Sequence, residues 1–107
     1  MEMVNSFQAK YLRGLAHKLK PVVFIGQKGL TPTVIQSAAE AIKRHELIKI
    51  KFLEYKEKQQ KREITAAIEA QVDCQMVGLI GHIATFYRQH SDPEKRKIKL
   101  PEGKDKR

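Results

Sequence analysis

An α/β sandwich, with helices laid on a four-stranded mixed sheet, is the architecture this 107-residue sequence predicts. Three observations predict it. Helix-period and strand-period segments alternate along the chain in the order α-β-α-β-α-β-β, which two packed layers satisfy most economically. Residues 47–53 alternate strictly, with Ile48, Ile50 and Phe52 toward one face and Lys49 and Lys51 toward the other, so one sheet face is buried and the other wet. Gly81-His82 stands between two short apolar runs as a two-residue Gly-X turn, which closes a hairpin.

The elements follow in order. Residues 6 to about 19 read as an amphipathic helix whose apolar stripe is Phe7, Tyr11, Leu12, Leu15 and Leu19. Lys10, Arg13, His17 and Lys20 form a second stripe on its flank. Gly14, costing about 1 kcal/mol against Ala inside a helix, marks a close backbone approach. Pro21 stops this helix, and residues 21–25, with no polar alternation, read as an interior strand. Thr31 as N-cap and Pro32 at the first helical position start a second helix, without a capping box because Val34 stands where Glu or Gln would complete one. That helix runs to about Arg44, with Val34, Ile35, Ala38 and Ile42 inward and Gln36, Glu40, Lys43 and Arg44 outward.

A third helix spans residues 57–72, its apolar side being Ile64, Ala67, Ile68 and Val72, and its polar opening turns are expected to fray. Residues 75–80 and 83–88 are the hairpin strands. Phe86 and Tyr87 are adjacent there, so one is core and the other outward, filling the sheet surface or stacking on a base. Beyond Arg88 the composition turns charged, with Pro93 and Pro101, although Ile98 and Leu100 are available to dock. One domain over residues 4–100 and a charged tail at 101–107 are expected.

The formal charge is +9 and unevenly placed: +4 in residues 1–30, +1 in 31–87 and +4 in 88–107. Such an excess either keeps the protein soluble or meets a polyanion, whose condensed counterions are released on binding. Cys74 is the single cysteine, so it has no intrachain disulfide partner; a small buried hydrophobe is its simplest role. No run approaches the roughly 18 apolar residues of a membrane span, and the N-terminus lacks the basic start and apolar run of a signal peptide. A cytoplasmic protein with no membrane partner is expected.

One local segment carries a chemical mechanism. Ile25-Gly26-Gln27-Lys28-Gly29-Leu30-Thr31-Pro32 leads a strand through a Gly-x-x-Gly loop into a helix. Glycines let an anion approach the backbone, and the first N–H groups of the helix, with its dipole, favour negative charge. Lys28 adds a mobile charge at the tip. Thr31 either caps the helix or bonds a phosphate oxygen. By itself the loop is equally a plain turn; the Lys10, Arg13, His17, Lys20 stripe ending just before its strand favours a basic surface. Lys49 and Lys51 either touch the same ligand or keep the wet face soluble.

Enzymatic readings lack parts. A Walker loop needs four residues between its glycines and then Lys-Ser/Thr, whereas two intervene here and Leu-Thr follows. A dinucleotide fingerprint lacks its third glycine and later acid. His17, His45, His82 and His90 lie in different elements without metal-ligand spacing. No nucleophile, metal site or carboxylate pair is in view, so no enzyme, cofactor, metal or small-molecule substrate is expected.

The stretches Leu12-Arg13-Gly14-Leu15-Ala16-His17-Lys18-Leu19-Lys20-Pro21-Val22-Val23, Gly26-Gln27-Lys28-Gly29-Leu30-Thr31 and His45-Glu46-Leu47-Ile48-Lys49-Ile50-Lys51, with Val77-Gly78-Leu79-Ile80-Gly81 and Tyr87-Arg88, occur in one order. Together, over roughly residues 6–100, they resemble the bacterial YhbY family of stand-alone CRM domains. The resemblance implies a fold similar to the C-terminal domain of translation initiation factor three. It implies RNA binding by the Gly-x-x-Gly loop, and association with ribosomal RNA in precursors of the large subunit; plant relatives act in organelle intron splicing. Carried over by position, the loop is Gly26, Gln27, Lys28 and Gly29, with Arg13, Lys18 and Lys20 as basic neighbours. Thr31, Lys10, Lys43, Arg44, Lys49 and Lys51 complete the expected contact set. The Lys/Gln-rich opening of the third helix and the basic tail depart from the family pattern. The expected partner of this monomer is RNA; the alternative is an assembly adaptor whose basic face meets an acidic protein.

Overall fold

Asn5 opens the first helix, α1 (Ser6–Ala16), through a capping box: its Oδ1 accepts the Gln8 N–H at 2.9 Å, and the Gln8 Oε1 accepts the Asn5 N–H at 3.1 Å. The helix ends about three residues earlier than its periodicity predicts. The Leu19 N–H closes a tight turn on the Ala16 carbonyl at 2.9 Å, and Lys20, preceding Pro21, is disfavoured in helical geometry. The remaining elements are β1 (Val23–Ile25), α2 (Pro32–His45), β2 (Leu47–Phe52), α3 (Lys58–Val72), β3 (Gln75–Ile80), β4 (Ile83–Tyr87) and a single 3-10 turn, Pro93–Lys95. This is a computed structural model describing residues 3–102; the last five residues of the charged tail, 103–107, lie outside it.

The sheet order is β1-β2-β4-β3, with β1 parallel to β2 and the other pairs antiparallel. This is the α/β class and the four-stranded mixed sheet expected. β1, however, is an edge strand and not an interior one. Its apolar run misleads because Val23 and Ile25 are buried while Val22 and Phe24 stand exposed beside them. Gly81, at φ +60, makes the two-residue hairpin turn in the left-handed region that suits glycine.

α2 and α3 cover one face, where Ala38, Ile42, Ile68 and Val72 meet Val23, Ile25, Ile48, Ile50, Phe52, Ala84 and Phe86. α1 lies on the other face, the one that alternation in β2 marks as wet, and covers half of it. Leu12 and Ala16 pack there on Leu47, Val77 and Tyr87, joined by Ile98 and Leu100. Phe86 and Tyr87 are therefore both fully buried, one on each side, and neither is free to stack on a base. The apolar stripe of α1 also turns out differently: only Leu12 of its five residues is buried, and Phe7, Tyr11, Leu15 and Leu19 are exposed. Small Ala9 and Ala16 form the face that lets the helix approach the sheet, and Gly14 does not mark the close backbone approach expected of it, since a Cβ there would meet nothing within 4 Å. Leu15, Leu19 and Val22 instead line an apolar groove with Ile98, rimmed by Lys20, Lys97 and Lys99.

Residues 89–101 are strapped against the domain by Glu46. This residue follows α2 at φ 66, is buried, and its carbonyl accepts the Arg88 N–H at 2.8 Å. Its carboxylate accepts three further backbone N–H groups: His90 at 2.7 Å, Lys97 at 2.8 Å and Ile98 at 2.9 Å. Gln8 adds a bond from its Nε2 to the Pro101 carbonyl at 3.0 Å. Hydrogen bonds to a charged acceptor contribute about 1.5–3 kcal/mol each, and buried donors left unpaired cost as much. Glu46→Ala is expected to lower the unfolding free energy by about 3–5 kcal/mol, a large share of a small domain's total. Urea denaturation measures that loss, and limited trypsinolysis should show faster cutting beside Arg96 and Lys97; an unchanged midpoint would remove Glu46 from its role as the anchor.

Candidate nucleic-acid interface

β1 delivers the chain to the glycine loop. The Ile25 carbonyl at its end accepts the N–H groups of Leu53 at 2.9 Å and Glu54 at 3.2 Å, so the segment after β2 underlies the loop. The Gly29 N–H then closes a turn on the Gly26 carbonyl at 3.0 Å. Gly29 has φ +72, and a Cβ there would sit 3.5 Å from the Tyr55 ring. The positive φ favours glycine at this position. Thr31 resolves its two readings in favour of the cap: its Oγ1 accepts the Val34 N–H at 3.2 Å. The Thr31 hydroxyl proton is still available to a phosphate oxygen.

Gly26 differs from Gly29. Its φ is not positive, and a Cβ placed on it would meet nothing within 4 Å. Nothing within the fold requires a glycine there. Gln27 and Lys28 are exposed at the tip, and among the described residues neither of their amide N–H groups has an intrachain acceptor. The loop thus presents two open donors, one cationic side chain and a bare backbone, beside the N-terminus of a 14-residue helix.

Tyr55, absent from the sequence-based set, holds the loop in shape. Its hydroxyl donates to the Gln27 carbonyl at 2.6 Å, and its ring lies against Gly29. The only local signal was an aromatic residue within the charged stretch 54–57, with no hint of its long-range target.

The expected cations fall into groups. Arg13 donates from Nη1 to the Val77 carbonyl at 2.9 Å, and its stem crosses Gly78 so closely that a Cβ there would lie 2.8 Å from Arg13 Cδ. Part of its guanidinium is thereby committed to the fold. Lys49 donates to the Leu19 carbonyl at 3.0 Å and shares a shallow depression with Arg13 and His17. Lys18 and Lys20 are exposed on the link into β1, Lys10 is exposed on α1, and Lys51 is exposed on the uncovered part of the sheet. Lys43 and Arg44 do not join the loop, since they stand at the far end of α2, about 17 Å along its axis. There Lys43 lines a separate cleft with Arg88, His90 and Arg96.

The Lys/Gln-rich opening of α3 has a structural use. Lys61 is buried and its Nζ donates to the Gly81 carbonyl at 2.6 Å, tying α3 to the hairpin turn. The Gln60 Oε1 accepts the Glu57 N–H at 3.3 Å, and the stretch is helical from Lys58, where fraying was expected. Cys74 is buried, and desolvation, with the charge of Glu69 adding, pushes its thiol up to about 12. A thiol so placed is a poor nucleophile. Among the described residues, no three His, Cys, Asp or Glu side chains are grouped to hold a metal, and no helix is long and apolar enough to cross a membrane.

Comparison with known proteins converges on one family. The CRS1 / YhbY (CRM) domain profile matches residues 4–88. An RNA-binding protein of Haemophilus influenzae is 39% identical over 101 residues, spanning 94% of this chain and 98% of that protein. A probable RNA-binding protein of Pseudomonas aeruginosa is 35% identical over 88 residues, 82% of this chain and 84% of its own. The probable RNA-binding protein YqeI of Bacillus subtilis is 31% identical over 99 residues, 92% of this chain and 100% of its own. The solution structure of a Staphylococcus aureus protein, described as a candidate RNA-binding protein, superposes with a TM-score of 0.79 at 28% identity, covering 92% of this chain and 100% of that one.

The role given to Tyr55 is open to measurement. Tyr55→Phe removes one neutral hydrogen bond and keeps the ring, so stability is expected to fall by about 1 kcal/mol, with Gly29 amide exchange rising about fivefold. Unchanged exchange at Gly29 would show that the ring alone holds the loop.

Proposed function

The chain belongs to the CRS1/YhbY (CRM) domain family, and we propose that it is a non-enzymatic, monomeric RNA-binding protein of the cytoplasm that grips the RNA backbone with its Gly-x-x-Gly loop. Lys28 and the amides of Gln27 and Lys28 take a phosphate. Arg13, Lys18 and Lys20 extend the track, with Lys10, Thr31, Lys49 and Lys51 as further contacts. Lys43 and Arg44, at the other end of α2, serve as an outlying second patch.

The observation that carries this reading is Gly26. A glycine whose backbone needs no special conformation, with open space where its Cβ would point, leaves the backbone bare for something outside the chain. The positive balance of the sequence and the RNA-binding proteins among its relatives support the same class of ligand. The family resemblance supports a finer proposal, that the RNA is ribosomal and lies in precursors of the large subunit. Sedimentation of the protein with those precursors in a sucrose gradient, lost after ribonuclease treatment, tests it.

One observation favours the alternative of an adaptor for an acidic protein: the apolar groove of Leu15, Leu19, Val22 and Ile98 with its lysine rim. Ribonuclease treatment of an affinity pull-down separates the readings, since a direct protein partner persists and an RNA-bridged one is lost.

Phosphate contacts weaken uniformly when removed. Lys28→Ala is expected to lower affinity for all RNA sequences alike and to reduce the slope of log K against log salt by about 1 unit or less. Gly26→Asp should cost more affinity with its thermal midpoint retained, because the fold leaves room for the side chain. Filter binding over a salt series is the measurement, and unchanged slope and affinity in Lys28→Ala would exclude the loop as the phosphate grip.

A further inference from the structure

α1 and the 89–101 strap cover only the half of their sheet face that holds Leu47, Val77 and Tyr87. At the other end a single row crosses all four strands on that face. Phe24 pairs with Lys51, Lys51 with Ile83, and Ile83 with Ile80. Phe24 is 49% exposed and Ile80 78% exposed. Scattered apolar residues on a surface are ordinary. This row is contiguous, and its aromatic member lies two residues before Gly26, about 7 Å along the strand.

We infer that this open end of the sheet is a binding site for one unpaired nucleobase, stacked on Phe24 next to the phosphate held at the glycine loop. The inference rests on the proposed role of that loop. Three features of the row select the occupant. A flat π-face on an edge strand, reachable from the side, suits the face of a base. Lys51 beside it and Lys49 one row behind supply cations, and neither row contributes a carboxylate, so the charge complements a polyanion. The separation between Phe24 and the loop is one that a single nucleotide bridges from base to phosphate. No side chain of the row offers hydrogen bonds matched to a base edge, so the site accepts any base. It requires the base to be out of a duplex, where its face is already stacked on its neighbours.

The chain contains no tryptophan, so Phe24→Trp installs a single fluorescent reporter at the site. A mixed-sequence RNA strand without self-complementarity is expected to quench its emission as binding saturates, and the same strand annealed to its complement to quench it much less. By anisotropy, Phe24→Ala and Phe24→Leu should each reduce the preference for single strand over duplex about tenfold, the scale of one lost base stack. Lys28→Ala should weaken both RNAs and leave that preference unchanged. Trp emission that stays constant while anisotropy reports saturation overturns the base site, as does wild-type preference in Phe24→Leu, which would mean apolar cover and no stacking. A shift of Trp emission with protein concentration alone would assign the row to self-association and overturn it too. Quenching that persists when Lys28→Ala has no effect supports the base site while removing the loop reading; absence of any RNA binding removes both.

Discussion

A buried carboxylate gripped by backbone amides holds residues 89–101 of this domain in place. Glu46 sits between α2 and β2 at φ 66, a region that costs a residue with a Cβ on the order of 1 kcal/mol or more. The conformation persists because it aims the side chain at three amides of the returning chain, those of His90, Lys97 and Ile98. Backbone dipoles converging on the carboxylate do the work that a lysine or arginine would otherwise do. Ile98 and Leu100 then close the smaller core with Leu12, Ala16, Leu47 and Tyr87. Tyr87 is the member of that core with an unsatisfied polar atom. Its hydroxyl is buried without a hydrogen-bond partner among the described residues, and burial, with the Glu46 charge adding, raises its pKa to about 12. Removal of this hydroxyl proton is thus disfavoured twice, and the side chain stays neutral throughout the ordinary pH range.

The position of α1 follows from the same packing. The helix meets the sheet with small residues and with the stem of Arg13 over Gly78, so it lies close. It stops at Ala16, and the link through Lys18 and Lys20 must then cross to the edge strand β1. The early stop leaves the Phe24 row uncovered, and brings Lys49 to the Leu19 carbonyl at the border between covered and open halves.

Local patterns were legible in the sequence, and pairings between distant segments were not. Element order, the Thr31-Pro32 helix start, the Gly81-His82 turn and the inward set Ile48, Ile50 and Phe52 depend on neighbours within a few residues, and all are present. The errors share one cause, which is that a period reports which residues lie on one side but not what lies opposite. In α1 the stripe of Phe7, Tyr11 and Leu15 has the right spacing, yet the sheet accepts the smaller neighbouring face. In β4, alternation requires Phe86 and Tyr87 to point apart, and only a second layer makes both buried. Glu46 and Tyr55 read as ordinary polar-loop residues because their partners lie 28 to 52 positions away. The glycine loop was visible as a motif. That the backbone favours glycine at position 29 but not at 26 depends on φ values, which no local pattern reports.

This distinction between the two glycines separates positioning from selection. In the role proposed for it, a loop of bare amides and one lysine would respond to phosphate, which every nucleotide carries, so it would contribute affinity and salt dependence but no choice among RNAs. Choice has to come from surfaces that respond to what varies, namely whether bases are paired and how the backbone is shaped around them. On this molecule the neighbouring surface is a sheet end left open because α1 is short, and the outlying cations Lys43, Arg88 and Arg96 stand at the opposite end of α2. An RNA that reached the outlying cations from the loop would have to follow the domain for about 17 Å. Grip points that far apart discriminate by the path of the backbone between them. On the proposed reading, shape and strandedness, and not a string of base-edge contacts, are the properties of RNA that such an arrangement would sense.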